Sequence, residues 1–275
     1  MKTQNITLIT GATSGIGKAT AEALSEKGHK LIILARNPDK AKALIASLPG
    51  EAKFISCDFE NLDSVSQAAN EVLKQTDHLE NLINNAGAIF QAREETAQGF
   101  EKHFGVNHLA PFLLTEKLIP LILKSDGRVI NVSSDLYKQA KVDFDNLQLQ
   151  NGYAPMLGYA NSKLFNLLHA KELAEKYRVQ NLRAYSLHPG VIRSNFGSDF
   201  SGGMGFLLNL MKPFMKGTQA GASTSVMLAD SERDAFVSGS YFKNKKPVST
   251  KADLVNNDLS KRIWDVSEEL VSSYM

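Results

Sequence analysis

The sequence is short of the features that mark several protein classes. Its 275 residues hold one cysteine, Cys57, so no disulfide can close within the chain and a reducing compartment is expected. Lysine and arginine (31) nearly balance aspartate and glutamate (29), and no long basic run occurs, so no nucleic-acid partner is expected. No uninterrupted apolar stretch approaches the ~20 residues of a membrane span, and no integral membrane segment is expected. The opening Met1-Lys2-Thr3-Gln4 is too short and polar for a signal peptide. Internal repeats, low-complexity tracts and dividing linkers are absent too. These absences leave one cytoplasmic domain over residues 1–275, a length that suits a single α/β core.

What is present is alternation. Short apolar runs at Ile6–Thr10, Lys30–Ala35, Phe54–Cys57, Leu82–Asn84, Arg128–Val132 and Arg183–Leu187 read as strands. Between them lie helical stretches ending at Glu26 and covering Asp39–Leu48, Ser64–Lys74, Phe104–Lys124 and Tyr159–Tyr177. In the last, Leu164, Leu167, Leu168 and Leu173 share one side at helical spacing. Such a rhythm predicts an α/β fold, a parallel sheet with helices on both faces. Its ligand site belongs at the carboxyl ends of the strands, where the strand order reverses. From Ser194 the rhythm breaks. The stretch near 194–217, rich in glycine, methionine and phenylalanine, reads as a lid over an apolar substrate, with membrane docking or simple packing as other readings. Ser238–Phe242 reads as an edge strand and Leu259–Val271 as a terminal amphipathic helix.

After the first strand comes Gly11-Ala12-Thr13-Ser14-Gly15-Ile16-Gly17. Glycines at a strand–helix junction let a pyrophosphate approach the backbone, with the next helix aiming its N–H groups at the anion. Gly11, Thr13, Ser14, Gly15, Ile16 and Gly17 are therefore candidate cofactor-binding residues. At the end of the second strand an NAD enzyme usually carries an acidic residue for the ribose 2′-hydroxyl. Arg36 stands there instead; a guanidinium can bind a 2′-phosphate, which favours NADP(H) over NAD(H). Asp58, after the third strand, could accept from the adenine amino group or cap the following helix. Cys57 reads as small strand filler.

Tyr159 and Lys163 lie four residues apart, on one face of a helix. Protonating a developing alkoxide needs an acid, and a phenol of pKa about 10 needs a neighbouring cation to serve near neutrality. With these residues in view, the sequence resembles the short-chain dehydrogenase/reductase family over nearly its whole length. The matching motifs are Thr10-Gly11-x3-Gly15-Ile16-Gly17, Asn84-Asn85-Ala86-Gly87, Asn107, Ser134, Tyr159 with Lys163, and His188-Pro189-Gly190. The resemblance implies a Rossmann-type doubly wound sheet of about seven strands.

It also implies roles. Tyr159 would be the general acid in reduction and the base in oxidation. Lys163 would lower its pKa and hold the nicotinamide ribose. Ser134, favoured over Ser133, would donate to the substrate oxygen, and Asn107 would help hold a water in a proton relay. Asn85, Ala86 and Gly87 would shape the adenosine side, with Thr10 tying the strands, and Pro189, Gly190 and Ile192 would flank the carboxamide. The segment Lys138–Met156 makes the Ser134–Tyr159 spacing longer than the family's commonest. With Arg36-Asn37 and the ending Arg262–Leu270, it resembles the retinol-dehydrogenase and WW-domain-oxidoreductase branch.

The expected function is a carbonyl reductase or alcohol dehydrogenase using NADP(H) on a small apolar carbonyl or alcohol. A non-catalytic NADP(H) sensor or scaffold, and an epimerase or dehydratase on the same frame, are the alternatives. The helices at 104–124 and 159–177 could pair subunits into a homo-oligomer. No metal is expected, since His103 and His108 lack zinc-ligand spacing. No Gly-x-Ser-x-Gly elbow is present, which disfavours a hydrolase. His188 reads as a structural lining of the pocket.

Overall fold

The inner strands of the central sheet feed two cores, because successive side chains point to opposite faces. In β1 (Ile6–Thr10) Leu8 packs to one side and Ile9 to the other; β2 (Lys30–Ala35) divides Ile32 and Leu34 from Leu31 and Ile33. Continuous apolar runs of this kind are what a sheet covered on both faces requires. The computed structural model describes residues 5–192 and 217–275.

In chain order the elements are β1, α1 (Gly15–Glu26), β2, α2 (Pro38–Ser47), β3 (Ala52–Ser56), α3 (Leu62–Gln75) and β4 (Asn81–Asn84). Then follow α4 (Lys102–Lys124), β5 (Arg128–Val132), α5 (Pro155–Lys176), β6 (Arg183–His188), α6 (Thr218–Asp230), β7 (Tyr241–Lys243), β8 (Lys246–Val248) and α7 (Asn257–Val271). The sheet runs β3-β2-β1-β4-β5-β6-β7-β8, parallel except for β8. From β1 the chain builds outward in one direction and from β4 in the other, so the order reverses between these two neighbours. A crevice opens there at the carboxyl ends of the strands.

One core joins the sheet to α3, α4, α5 and α7 through Val65, Phe112, Leu164 and Trp264 among others. The other joins it to α1, α2 and α6 through Leu24, Leu44 and Leu228. Helix starts follow the sequence closely. Asn37, Asn61 and Asn256 cap α2, α3 and α7, each side chain accepting a backbone N–H of the first turn, and Pro38 fixes the first helical residue of α2. Among the described residues α4 is the one helix long and apolar enough to cross a membrane; 78% of its most apolar stretch is buried in this protein.

Three details sharpen the expectations. The sheet has eight strands, the eighth being Lys246-Pro247-Val248. It escapes a periodicity reading because it is a short, exposed edge with no apolar alternation. Its two-residue hairpin also hides, since Asn244 and Lys245 both adopt positive φ (50° and 64°) without a glycine to signal the turn. Asp58 does not cap α3; its carboxylate accepts the Glu60 N–H at 3.0 Å, and Asn61 is the cap. Finally, α4 is interrupted by a π-turn at Gly105–Leu109, closed by Ala110 N–H donating to the Gly105 carbonyl. The segment near 194–217 read as a lid lies outside the described residues except for Gly217, which precedes α6.

Candidate active site

The glycine turn is shaped for a close backbone approach. Gly11 has φ +66°, and a Cβ there would stand 2.9 Å from Ala86 Cα. A Cβ on Gly17 would stand 2.4 Å from the Gly11 carbonyl oxygen, so α1 can seat against the turn only with glycine at this position. Ser14 makes no side-chain capping bond and the first turn of α1 carries no acid. The helix therefore presents its N-terminal N–H groups, including those of Ile16 and Gly17, without a competing carboxylate. Thr10 closes the crevice at its base: its hydroxyl accepts from Asn85 N–H (3.0 Å) and Ala86 N–H (2.9 Å). Asn85 returns a bond from its amide to the Thr10 carbonyl (2.9 Å), bringing Asn85, Ala86 and Gly87 against the turn. These features fit a dinucleotide.

Residues from the far side of the crevice meet the same turn. Past β6, Gly190 has φ +98°, and Ile192 and Ile16 both pack beside Gly221 of α6. The structure thus brings Ile192 next to the start of α1, with Pro189 and Gly190 leading to it. At the carboxyl ends of β2 and β3, Arg36 follows β2 with an exposed side chain, and Asp58 follows β3. Cys57 is buried, and burial pushes its thiol up to about 12, which suits strand filler rather than a nucleophile.

Tyr159 and Lys163 are both buried on α5. Lys163 Nζ donates to the Val132 carbonyl at 3.0 Å and stands 5.5 Å from the centre of the Tyr159 ring. Burial lowers the ammonium to about 8. Burial also raises the Tyr159 phenol, and a hydrogen bond with the Ser134 hydroxyl opposes that rise. Ser133 faces elsewhere, its hydroxyl donating to the Lys163 carbonyl at 2.6 Å. Of the two serines, Ser134 is the one directed at the phenol. Asn107 lies within the π-turn and clamps Ala88, accepting its N–H and donating to its carbonyl, both at 2.9 Å. A Cβ on Gly87 would come within 3.2 Å of both Asn107 Oδ1 and Lys163 Nζ.

Several neighbours carry no local sequence signal. His103 is fully buried behind Tyr159, ring centres 6.3 Å apart. Its Nε2 accepts the Phe90 N–H (3.0 Å), which leaves the proton on Nδ1 for Glu101 Oε1 at 2.8 Å. Tyr153, from the segment that lengthens the Ser134–Tyr159 spacing, donates to the Phe90 carbonyl at 3.1 Å. On the other side His188 Nδ1 accepts the Asp135 N–H (3.2 Å), pinning the turn that carries Ser134. Burial would raise the Asp135 carboxyl, but the Lys243 ammonium, His188 and the Tyr241 hydroxyl outweigh it and hold the group below its usual range. Tyr241 and Lys243 come from β7, a hundred residues away, which is why sequence spacing gives no hint of them. No cluster able to hold a metal occurs among the described residues.

The profile of the short chain dehydrogenase family matches residues 5–202. Retinol dehydrogenase 11 of Mus musculus is 35% identical over 97% of this chain and 86% of its own length. Retinol dehydrogenase 14 of Homo sapiens is 35% identical over 96% of this chain and 85% of its own. Among solved structures, an uncharacterized protein from Mycobacterium paratuberculosis superposes with a TM-score of 0.81 at 27% identity, covering 98% of this chain and 94% of that one. An alcohol dehydrogenase from the archaeon Thermococcus sibiricus, complexed with 5-hydroxy-NADP, shares the fold at a TM-score of 0.68 and 20% identity, covering 87% and 95%.

Proposed function

The chain belongs to the short-chain dehydrogenase family and is an oxidoreductase acting on CH–OH groups, and from that premise we propose that it interconverts an apolar carbonyl compound and its alcohol with NADP(H), Tyr159 being the general acid and base. One observation carries this reading: the buried Tyr159 ring lies 5.5 Å from the Lys163 ammonium, which the Val132 carbonyl holds at 3.0 Å, and Ser134 is the serine whose hydroxyl opposes the upward shift of the phenol. A carbonyl oxygen set between the Tyr159 and Ser134 hydroxyls would receive two hydrogen bonds directed at the atom on which negative charge develops.

When bound, the nicotinamide supplies or accepts the hydride. The chain's own residues manage the proton. In reduction, the Tyr159 hydroxyl gives its proton to the substrate oxygen while Ser134 holds that oxygen in place. Charge left on the Tyr159 oxygen is stabilised by Lys163, whose ammonium is held by the Val132 carbonyl. In oxidation the same phenolate accepts the alcohol proton. The uncapped start of α1, with Thr13, Ser14 and Gly15, would hold the pyrophosphate, and Arg36 the 2′-phosphate.

Phe90 and Tyr153, half-buried and packed against His103 behind Tyr159, would on this reading offer an apolar substrate an aromatic side. The names of the relatives make retinol and its aldehyde the first compounds to try. NADPH oxidation against aldehydes, ketones and quinones tests the reading, with Tyr159→Phe as control. Turnover that survives unchanged in that variant would remove Tyr159 from its role.

A further inference from the structure

Four charged side chains from separate parts of the chain meet beside the adenosine end of the crevice. Glu60, in the loop after β3, divides its carboxylate: Oε1 lies 3.0 Å from Arg36 Nη1 and Oε2 lies 2.9 Å from Lys102 Nζ. Lys102, at the start of α4, also reaches Glu94 Oε2 at 2.6 Å and stands 5.4 Å over the Phe90 ring. The formal charges of Arg36, Glu60, Lys102 and Glu94 cancel. The guanidinium that would recognise a 2′-phosphate is thus already paired with a carboxylate.

The members of this chain of charges are not equally held. Side-chain exposure falls from 68% at Arg36 to 33% at Glu60 and 15% at Lys102. The Glu60 backbone is fixed at both ends, its N–H by Asp58 (3.0 Å) and its carbonyl by the Ala97 N–H (2.9 Å). Burial would raise the Glu60 carboxyl, yet Lys102 and Arg36 outweigh it and keep the group below the usual carboxylate range. Glu60 is therefore a fixed, ionised carboxylate, and Arg36 is the solvent-facing partner that can turn away. A dianionic 2′-phosphate would have to take the guanidinium from Glu60 and then sit close to a negative charge that Lys102 holds in place. A ribose 2′-hydroxyl meets no such penalty and can donate to a carboxylate.

Resting on the NADP(H) reading of Arg36, we propose that Glu60 sets cofactor selectivity by competing with the 2′-phosphate for Arg36. The chain consequently discriminates less sharply between NADP(H) and NAD(H) than Arg36 alone would produce. Lys102 moderates the effect by retaining one oxygen of Glu60, so that Arg36 can be released.

Equilibrium titration of NADP+ and NAD+ against the full chain tests this without turnover, using wild type, Glu60→Gln, Arg36→Leu and the double variant. Glu60→Gln is expected to tighten NADP+ by about two- to fivefold, the range of one partly screened charge contact, and to leave NAD+ unchanged or weaker. The gain should vanish when Arg36 is also replaced and shrink at high salt. If Glu60→Gln leaves NADP+ affinity unchanged or weakens it while Arg36→Leu weakens it, the competition is disproved and the Arg36 reading stands. If Arg36→Leu has no effect on NADP+, both fall. Glu60→Ala gives the same readout should the glutamine variant fold poorly.

Discussion

The Ser133 hydroxyl donates to the backbone carbonyl of Lys163 at 2.6 Å. That bond ties the end of β5 to the middle of α5 and leaves the next side chain, Ser134, to face Tyr159. The two serines are therefore expected to fail differently. Ser134→Ala should lower kcat by about 10²–10³-fold, as for loss of one oxyanion donor, with a stability cost of about 1 kcal/mol because its hydroxyl also accepts the Leu136 N–H. Ser133→Ala should cost about 1 kcal/mol of stability, the value of a buried hydrogen bond, with a much smaller kinetic effect. Steady-state kinetics separate the two, and the reverse kinetic pattern would exchange the assignments.

Tyr159→Phe removes the proposed proton donor and leaves the ring packed beside His103. Turnover should fall by at least about 10²-fold, the lower end of what a positioned acid contributes. NADP+ affinity should stay within about twofold, since the phenol's part is in proton transfer. A loss of cofactor affinity equal to the loss of turnover would show that Tyr159 acts through binding.

Lys163 sets a pH dependence whose sign follows from its burial. Lowered to about 8, the ammonium is charged below that pH and neutral above it. Its charge favours proton release from Tyr159, so kcat/KM for reduction should hold below about pH 8 and decline above it. Lys163→Arg keeps its charge through the alkaline range, and whatever activity it retains should decline only at higher pH. A profile from pH 6 to 10, with buffers matched for ionic strength, decides the matter; coincident profiles for the two proteins would exclude Lys163.

The β7–β8 hairpin offers a test of fold rather than chemistry. Lys245 holds φ +64°, a conformation that costs a side-chain-bearing residue about 1 kcal/mol or more, and Lys245→Gly creates the Asn-Gly pair that such turns prefer. The variant should gain stability of that order in denaturant titration, offset in part by the added freedom of glycine in the unfolded chain. Its backbone N–H bond to Thr224 is retained because it involves no side-chain atom of residue 245.

Local signals were sufficient for much of this molecule. The apolar runs located six strands because β-strands buried between two helix layers are largely apolar, a seventh was read at the sheet edge, and glycines marked the first strand–helix turn. The proximity of Tyr159 and Lys163 was legible because they share one helix. Glu60, His103, Tyr241 and Lys243 were not, since their significance lies in partners brought near by the sheet, such as Arg36, Phe90 and Asp135. Adjacency in sequence cannot separate Ser133 from Ser134; the preference for Ser134 came from the family resemblance, and the bond from Ser133 to the Lys163 carbonyl was not legible. The π-turn was hidden for another reason: its residues, Gly-Val-Asn-His-Leu, have helical character, and the extra residue appears only in the hydrogen-bond register.

That extra residue makes α4 two helical segments with different phases. A residue added to one turn rotates everything after it relative to everything before, by roughly the 100° that one residue occupies. Ahead of the turn, His103 and Lys102 address the loop after β4 and the carboxylate of Glu60; beyond it, Phe112, Leu113 and Leu118 join the core beneath the sheet. A regular helix could not satisfy both sets of neighbours with this sequence. Deleting one residue between Gly105 and Leu109 would restore regularity, and it would force a choice between aligning the core and aligning the Asn107 clamp on Ala88.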